Sequence, residues 1–126
     1  MNTAFVDTSC MVAMAFNEKG SVTIANRIDS FDAVYASPLL EAELAAAMTR
    51  EKVVFDESIV DALKWVIPAR PLTAEVQRVL RSGYVRGADC WHLATALYLS
   101  PDPAELTMLT LDVAQRRVAK ALGFVV

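Results

Sequence analysis

The sequence predicts a single α/β domain over residues 1–126, with a central, mostly parallel sheet of four to five short strands and helices on both faces. Three observations predict it. Short apolar runs rich in β-branched residues alternate with helix-length amphipathic runs, and strands separated by helices of that length form βαβ units. A chain of 126 residues has room for one domain, burying about two-thirds of its unfolded surface around one core. Finally, the apolar runs "TAFV" and "LTMLTL" each stop on an aspartate, Asp7 and Asp112. In parallel sheets ligands bind just beyond the carboxyl ends of the strands.

Each element has its own signal. "TAFV" (3–6) reads as a buried first strand, and "TSCMVAMAF" (8–16) as a short helix closed by the turn residues "NEKG". "SVTIANRIDSF" (21–31) places Val22, Ile24, Ala25 and Ile28 near helical spacing after a serine suited to an N-cap. "AVYAS" (33–37) is a short strand. "SPLLEAELAAAMTREK" (37–52) is the strongest helix, with Ser37 as cap, Pro38 at the first helical position and a run of good helix formers. "DESIVDALKWV" (56–66) predicts a further helix: it opens with acids and lines up Ile59, Leu63 and Val66. After Pro68 and Pro71, "TAEVQRVLRSG" (73–83) is a short helix ended by Gly83, and "ADCWHLATALYLS" (88–100) a more apolar one ended by "PDP". The strand "LTMLTL" (106–111), the helix "DVAQRRVAKALG" (112–123) and a terminal strand "FVV" complete the chain.

Composition excludes several classes. No apolar run reaches the roughly 18 residues of a membrane span, and the opening "MNTAFVDTS" lacks the basic start of a signal peptide. A soluble, cytoplasmic protein is expected. Cys10 and Cys90 sit inside apolar patterns and read as buried free thiols. With His92 the only histidine, a Cys/His metal centre is not expected. The net charge of −3 argues against a positively coated surface but allows a local basic stripe.

The acids carry the chemical signal. An aspartate between a strand and a helix fits an N-cap, and Asp7 and Asp112 both fit that reading. They also fit a second one. Asp89 opens the apolar helix on the face of His92, Leu93 and Ala96, and Glu43 flanks the stripe of Leu40, Leu44 and Ala47; carboxylates in such places are costly without a positive partner. Hard divalent cations such as Mg²⁺ or Mn²⁺ take oxygen ligands and would relieve the repulsion of four converging carboxylates. Glu41 and Glu43 stand roughly 200° apart around their helix, so one of them faces such a site and periodicity does not choose.

These residues carry a resemblance. "FVDTS", "SPLLEAELAAAM", "RGADCWHLATAL" and "MLTLDVAQRRVAKALGFVV", in that order and spanning nearly the whole chain, resemble the four motifs of the PIN-domain nucleases, and among them the single-domain VapC-type toxins of toxin–antitoxin pairs. The resemblance implies a nuclease domain over residues 1–126, in which Asp7, Glu43, Asp89 and Asp112 are both the catalytic and the metal-binding residues. It prefers Glu43 to Glu41 because the family's acid precedes Leu and small residues, as in "ELAAAM". Ser9 and Thr110 match accompanying hydroxyl positions. The implied chemistry is Mg²⁺- or Mn²⁺-dependent hydrolysis of RNA phosphodiesters; the implied partners are an RNA substrate, an antitoxin protein and a second copy in a homodimer.

Arg78, Arg81 and Arg86 lie between Glu75 and Asp89 with no acid among them, and Arg116, Arg117 and Lys120 cluster after Asp112. Of these, Arg81, Arg86, Arg116, Arg117 and Lys120 are the candidates for RNA phosphates; a solvated helix face is the other reading. Met14, Trp65 and Val66 fit either an interface or the core. His92 lies in a stripe predicted to be buried, where a structural role is favoured over a catalytic one. The resemblance departs at residues 65–89, which are compact and proline-bearing. A phosphatase of the haloacid dehalogenase type needs an aspartate where Ser9 stands, and the four dispersed glycines form no phosphate loop. The alternative from another class is a catalytically inactive PIN-fold module that binds or scaffolds.

Overall fold

The computed structural model describes all 126 residues. Four strands, β1 (Thr3–Val6), β2 (Ala33–Ala36), β3 (Lys64–Trp65) and β4 (Thr107–Leu109), form one sheet in the order β3-β2-β1-β4, every pairing parallel. Six helices surround it: α1 (Thr8–Ala15), α2 (Ser21–Asp29), α3 (Leu39–Arg50), α4 (Thr73–Ser82), α5 (Gly87–Leu99) and α6 (Val113–Leu122). No helix is long and apolar enough to cross a membrane.

The two-residue alternation of the strands sorts the core into two halves. From β1, Phe5 joins Val79, Leu93, Met108, Val118 and Leu122 on one face of the sheet, beneath α4, α5 and α6. Its neighbours Ala4 and Val6 join Met11, Val34, Leu40, Leu44 and Met48 on the other, beneath α1 and α3. The α/β expectation with helices on both faces holds, with four named strands. The terminal strand survives as a single parallel bridge, Thr107 to Val125.

One expected element is replaced. Residues 56–66 form no α-helix: a 3₁₀ turn covers Glu57–Val60, capped by Asp56 accepting from the Ser58 amide, and Lys64–Trp65 becomes the edge strand β3. Opening acids and an apolar spacing of three to four suit a 3₁₀ turn as well as an α-helix. The tie is broken by β2, whose free edge takes this segment as a partner through Tyr35↔Lys64 and Ala36↔Trp65 and through Val66 N–H to Ala36 O. Tertiary pairing overrides a weak local preference. The segment still buries apolar groups, at Val60, Leu63 and Val66.

Caps also differ in detail. Gly20, at φ +87°, occupies the N-cap of α2, one place before the expected serine. Pro38 occupies the N-cap of α3, one place after the expected Ser37, whose hydroxyl still accepts from the Leu39 amide. Gly83, where α4 ends, passes so close to α6 that a Cβ there would meet Val118 Cγ2 at 2.9 Å. Gly83→Ala is therefore expected to cost about 1–3 kcal/mol through overpacking, read as a lowered urea midpoint with an unchanged m-value.

Candidate acidic site at the carboxyl edge of the sheet

Asp7 is the first residue beyond β1, and its amide donates to Leu109 O, the last carbonyl of β4, at 3.1 Å. Adjacent parallel strands thus deliver both chain segments to one edge. Although Asp7 holds the N-cap position of α1, its side chain makes no capping hydrogen bond. Instead Ser9 Oγ donates to Oδ1 at 2.6 Å and Thr110 Oγ1 donates to Oδ2 at 2.7 Å. Each hydroxyl is itself oriented from behind: Ser9 Oγ accepts the Leu111 amide at 2.9 Å and Thr110 Oγ1 the Asp112 amide at 3.0 Å. A hydroxyl has one proton and two lone pairs, so the backbone donors leave both protons for Asp7. The carboxylate is 3% exposed. Burial pushes its pKa up, with the Ser9 and Thr110 hydroxyls and the nearby His92 opposing the shift.

Asp112 behaves as the cap reading expects, its Oδ1 accepting the Gln115 amide at 2.8 Å at the start of α6. Its other oxygen is not used by the cap. Asp89 lies half-buried in the first turn of α5. Burial raises its pKa first and the negative charge of Asp112 second, Glu43 adding to both, against Arg86 and His92.

Of the two glutamates on α3, Glu43 is half-buried and meets Thr8 and His92, while Glu41 is exposed and lines a shallow depression with Pro38, Trp65 and Ile67. Both hydrogen bonds to Glu43 fall on Oε1: Thr8 Oγ1 donates at 2.7 Å, and His92 Nε2 stands at 2.7 Å. No Lys or Arg pairs with any of the four acids; the chain's ion pairs are Arg50–Glu51, Arg70–Glu75 and the His92–Glu43 contact.

The donor set is all carboxylate oxygen, which suits Mg²⁺ or Mn²⁺ and not softer metals. No three His, Cys, Asp or Glu side chains close into a ready-made cage. Mg²⁺ does not require one: it keeps several waters and is held through one or two carboxylates. By donor type, these carboxylates suit such an ion.

Two of the basic candidates reach this edge, Arg86 beside Asp89 and Arg116 beside Thr110. Arg81, Arg86, Arg116, Arg117 and Lys120 are exposed and free of ion pairs. The Arg116 guanidinium is anchored by a 2.9 Å donation to Thr110 O. It shares a cavity of about 50 Å³ with Arg27, Cys10, Thr110 and Leu111. Cys10 and Cys90 are buried free thiols, as expected. Burial, with the charge of Asp7 adding to it, pushes the Cys10 thiol up to about 12, so it is inert at neutral pH. The largest concavity, about 710 Å³, lies beside Thr3, Tyr35 and Leu106. Thr3 opens β1, so this hollow sits toward the amino edge of the sheet, and it contains none of these acids.

Sequence reasoning missed four contributors. Thr8 stands between Asp7 and Ser9 and gave no separate signal, because its partner is on another helix. His92 is buried as expected, at 1% exposed, yet reaches Glu43. Gln115, 0% exposed, donates from Nε2 to Asp89 O at 3.3 Å and ties α6 to α5. Arg27 is a lone cation on an amphipathic helix. Of the three apolar candidates for an interface, Val66 is core, and Met14 and Trp65 pack half-buried against the core.

Between the usual carboxylate value of 3.8 and the raised value of Asp7, the folded protein binds more protons than the unfolded chain, so this group's contribution to stability falls as pH rises. Asp7→Asn removes the buried charge. In EDTA at pH 7 its Tm is expected to exceed that of the wild type by a few degrees, the gap shrinking as pH falls toward 3.8. Thermal melts across pH check both sign and window.

The family model described as "PIN domain" matches residues 4–121 of the chain. No curated protein gives a match.

Proposed function

The chain belongs to the PIN domain family, whose fold is that of nucleases, and we propose from this premise that it is a divalent-metal-dependent endoribonuclease. Asp7, Glu43, Asp89 and Asp112 are its catalytic and metal-binding residues. The observation that carries the reading is Asp7: a carboxylate 3% exposed at the carboxyl edge of the sheet, its oxygens met by two hydroxyls and paired with no Lys or Arg. Uncompensated buried charge is expensive, and such sites are characteristic of function. A bound Mg²⁺ or Mn²⁺ supplies an acidified water and neutralises the charge that develops on the scissile phosphate.

The chain's own groups do the rest. Ser9 and Thr110 fix the orientation of the Asp7 carboxylate, and Asp112 is held by its cap with one oxygen left toward the site. Arg86, beside Asp89, and Arg116, anchored on Thr110 O, meet substrate phosphates, with Arg81, Arg117 and Lys120 extending the positive rim. Arg27 joins Arg116 across their shared cavity. No pair of histidines is present for metal-free acid–base cleavage; a cation held by Asp7, Glu43, Asp89 and Asp112 would supply that chemistry, and 5′-phosphate and 3′-hydroxyl ends are expected.

In its cellular role we assign the protein to the VapC-type toxins of type II toxin–antitoxin pairs, a cytoplasmic homodimer restrained by an antitoxin. The four motifs in order support this assignment. Exposed Val22, Ile67, Leu80, Tyr84 and Val113 offer apolar surface for such partners.

Purified protein is expected to cut total cellular RNA at discrete sites in Mg²⁺ or Mn²⁺, with cutting abolished by EDTA and by Asp7→Asn; sequencing the new ends identifies the target. Equal cutting by wild type and Asp7→Asn would remove Asp7 from the chemistry, and no cutting by either would favour an inactive binding module. Independently, Arg27→Gln is expected to weaken RNA binding evenly across sequences and to lower the salt slope by about 1. Filter binding across a NaCl series, in EDTA, measures it.

A further inference from the structure

We propose that His92, together with Thr8, is a positioning residue that fixes Glu43 as a one-oxygen ligand of the divalent cation. The inference rests on reading the four acids as a metal site. His92 lies on α5, three residues after Asp89 and on the same side of the helix. Its Nε2 stands 2.7 Å from Glu43 Oε1 and 3.2 Å from Thr8 Oγ1, and Thr8 Oγ1 is itself 2.7 Å from that same carboxylate oxygen. A ring nitrogen that faces a carboxylate oxygen already receiving a hydroxyl proton must donate, so Nε2 carries a proton. Both donors fall on Oε1. Oε2 is therefore the oxygen left to the cation.

The other ring nitrogen sharpens the point. Nδ1 is buried and makes no hydrogen bond, so the pair of Glu43 and Thr8 is the ring's only polar attachment. A side chain kept at 1% exposure simply to fill space would be better apolar, since an unmatched buried nitrogen costs free energy. Here the cost of Nδ1 is offset only by what Nε2 does.

The bridge also spans elements. It ties Glu43 of α3 to α5, which carries Asp89, and through Thr8 to the first residue of α1, next to Asp7. Glu43 is the one acid inside this hydrogen-bonded unit; of its other two members, Thr8 follows Asp7 directly in sequence and His92 stands about one helical turn after Asp89. Outer partners that orient a metal-binding carboxylate commonly govern affinity as strongly as this, about 10–100-fold when removed.

The test is Mn²⁺ affinity of the full chain, by titration with electron paramagnetic resonance detection of free Mn²⁺, with a thermal melt of every variant. His92→Leu is expected to weaken binding tenfold or more. His92→Gln, whose Nε2 reaches the same place, is expected to recover most of the loss, and Thr8→Val to lose affinity severalfold while keeping its fold. In a Glu43→Gln background, His92→Leu and Thr8→Val are expected to have no further effect. Equal losses for the Leu and Gln variants, or losses that add to that of Glu43→Gln, would show a general packing role and overturn the proposal. If His92→Leu fails to fold, His92→Gln and Thr8→Val, each alone and with Glu43→Gln, decide the matter by the same rule. Wild-type binding lost in Asp7→Asn but unchanged in His92→Leu and Thr8→Val overturns this inference alone. Wild-type binding that Asp7→Asn leaves intact overturns the metal reading beneath it, and the inference with it.

Discussion

The structure depends on one buried carboxylate at the junction of two parallel strands. Asp7 sits where β1 leaves the sheet, its amide bonded to the last carbonyl of β4, and its oxygens are met by hydroxyls from both segments. Removing a carboxylate from water costs several kcal/mol even after relaxation. Two hydroxyl donors, each held by a backbone amide, recover part of that cost, and the raised pKa of Asp7 shows that part of it remains. A folded chain carrying such a charge is less stable than one without it. The usual reason for tolerating this is that a ligand completes the site and stabilises the fold by its own binding free energy.

Around Asp7, α5 does the most to organise the edge. Its first turns divide their side chains between two tasks. Asp89 and His92 turn to the acids, whereas Cys90, Leu93 and Leu97 enter the core half that also holds Phe5 and Met108. Trp91 donates from Nε1 to Ser37 Oγ at 3.1 Å, and the same oxygen accepts the amide of Leu39, the first residue of α3. That contact sets the start of α3 against α5, and so sets Glu43 against His92 two turns further along. Gln115 performs the corresponding service between α6 and α5. Each acid comes from a different element; Asp7, Glu43 and Asp89 are braced by contacts to neighbouring ones, and Asp112 by its own helix.

Much of the fold was legible because the two periodicities are distinct. Strand runs of three or four residues and helix runs of eight to thirteen recur with clear stops at Gly, Pro and Asp, and the strand-to-helix positions of Asp7 and Asp112 followed from those stops alone. The segment 56–66 was misread for a physical reason: its acids and its spacing serve a 3₁₀ turn and an edge strand as well as a helix, and only the open side of β2 chooses between them. Among the glutamates, helical spacing left Glu41 and Glu43 equivalent, the family pattern preferred Glu43, and packing turns Glu43 toward Thr8 and His92. His92 shows the converse. Its burial followed from the apolar stripe of α5, but what its ring nitrogen meets did not.

The sequence by itself determined the class of the fold, the alternation of its elements and the delivery of Asp7 and Asp112 to strand ends, because these follow from local periodicity and from the short reach of a residue to its own neighbours. Tertiary structure decided that β1 and β4 lie side by side, that Ser9 and Thr110 share one carboxylate, and that Thr8, Glu43 and His92 meet. Those contacts join residues separated by 35 to 103 positions, and no local preference encodes such a distance. They exist because burying two apolar faces of one sheet leaves a single arrangement of the helices above it, and the polar groups at the edge take the partners that this packing puts within reach.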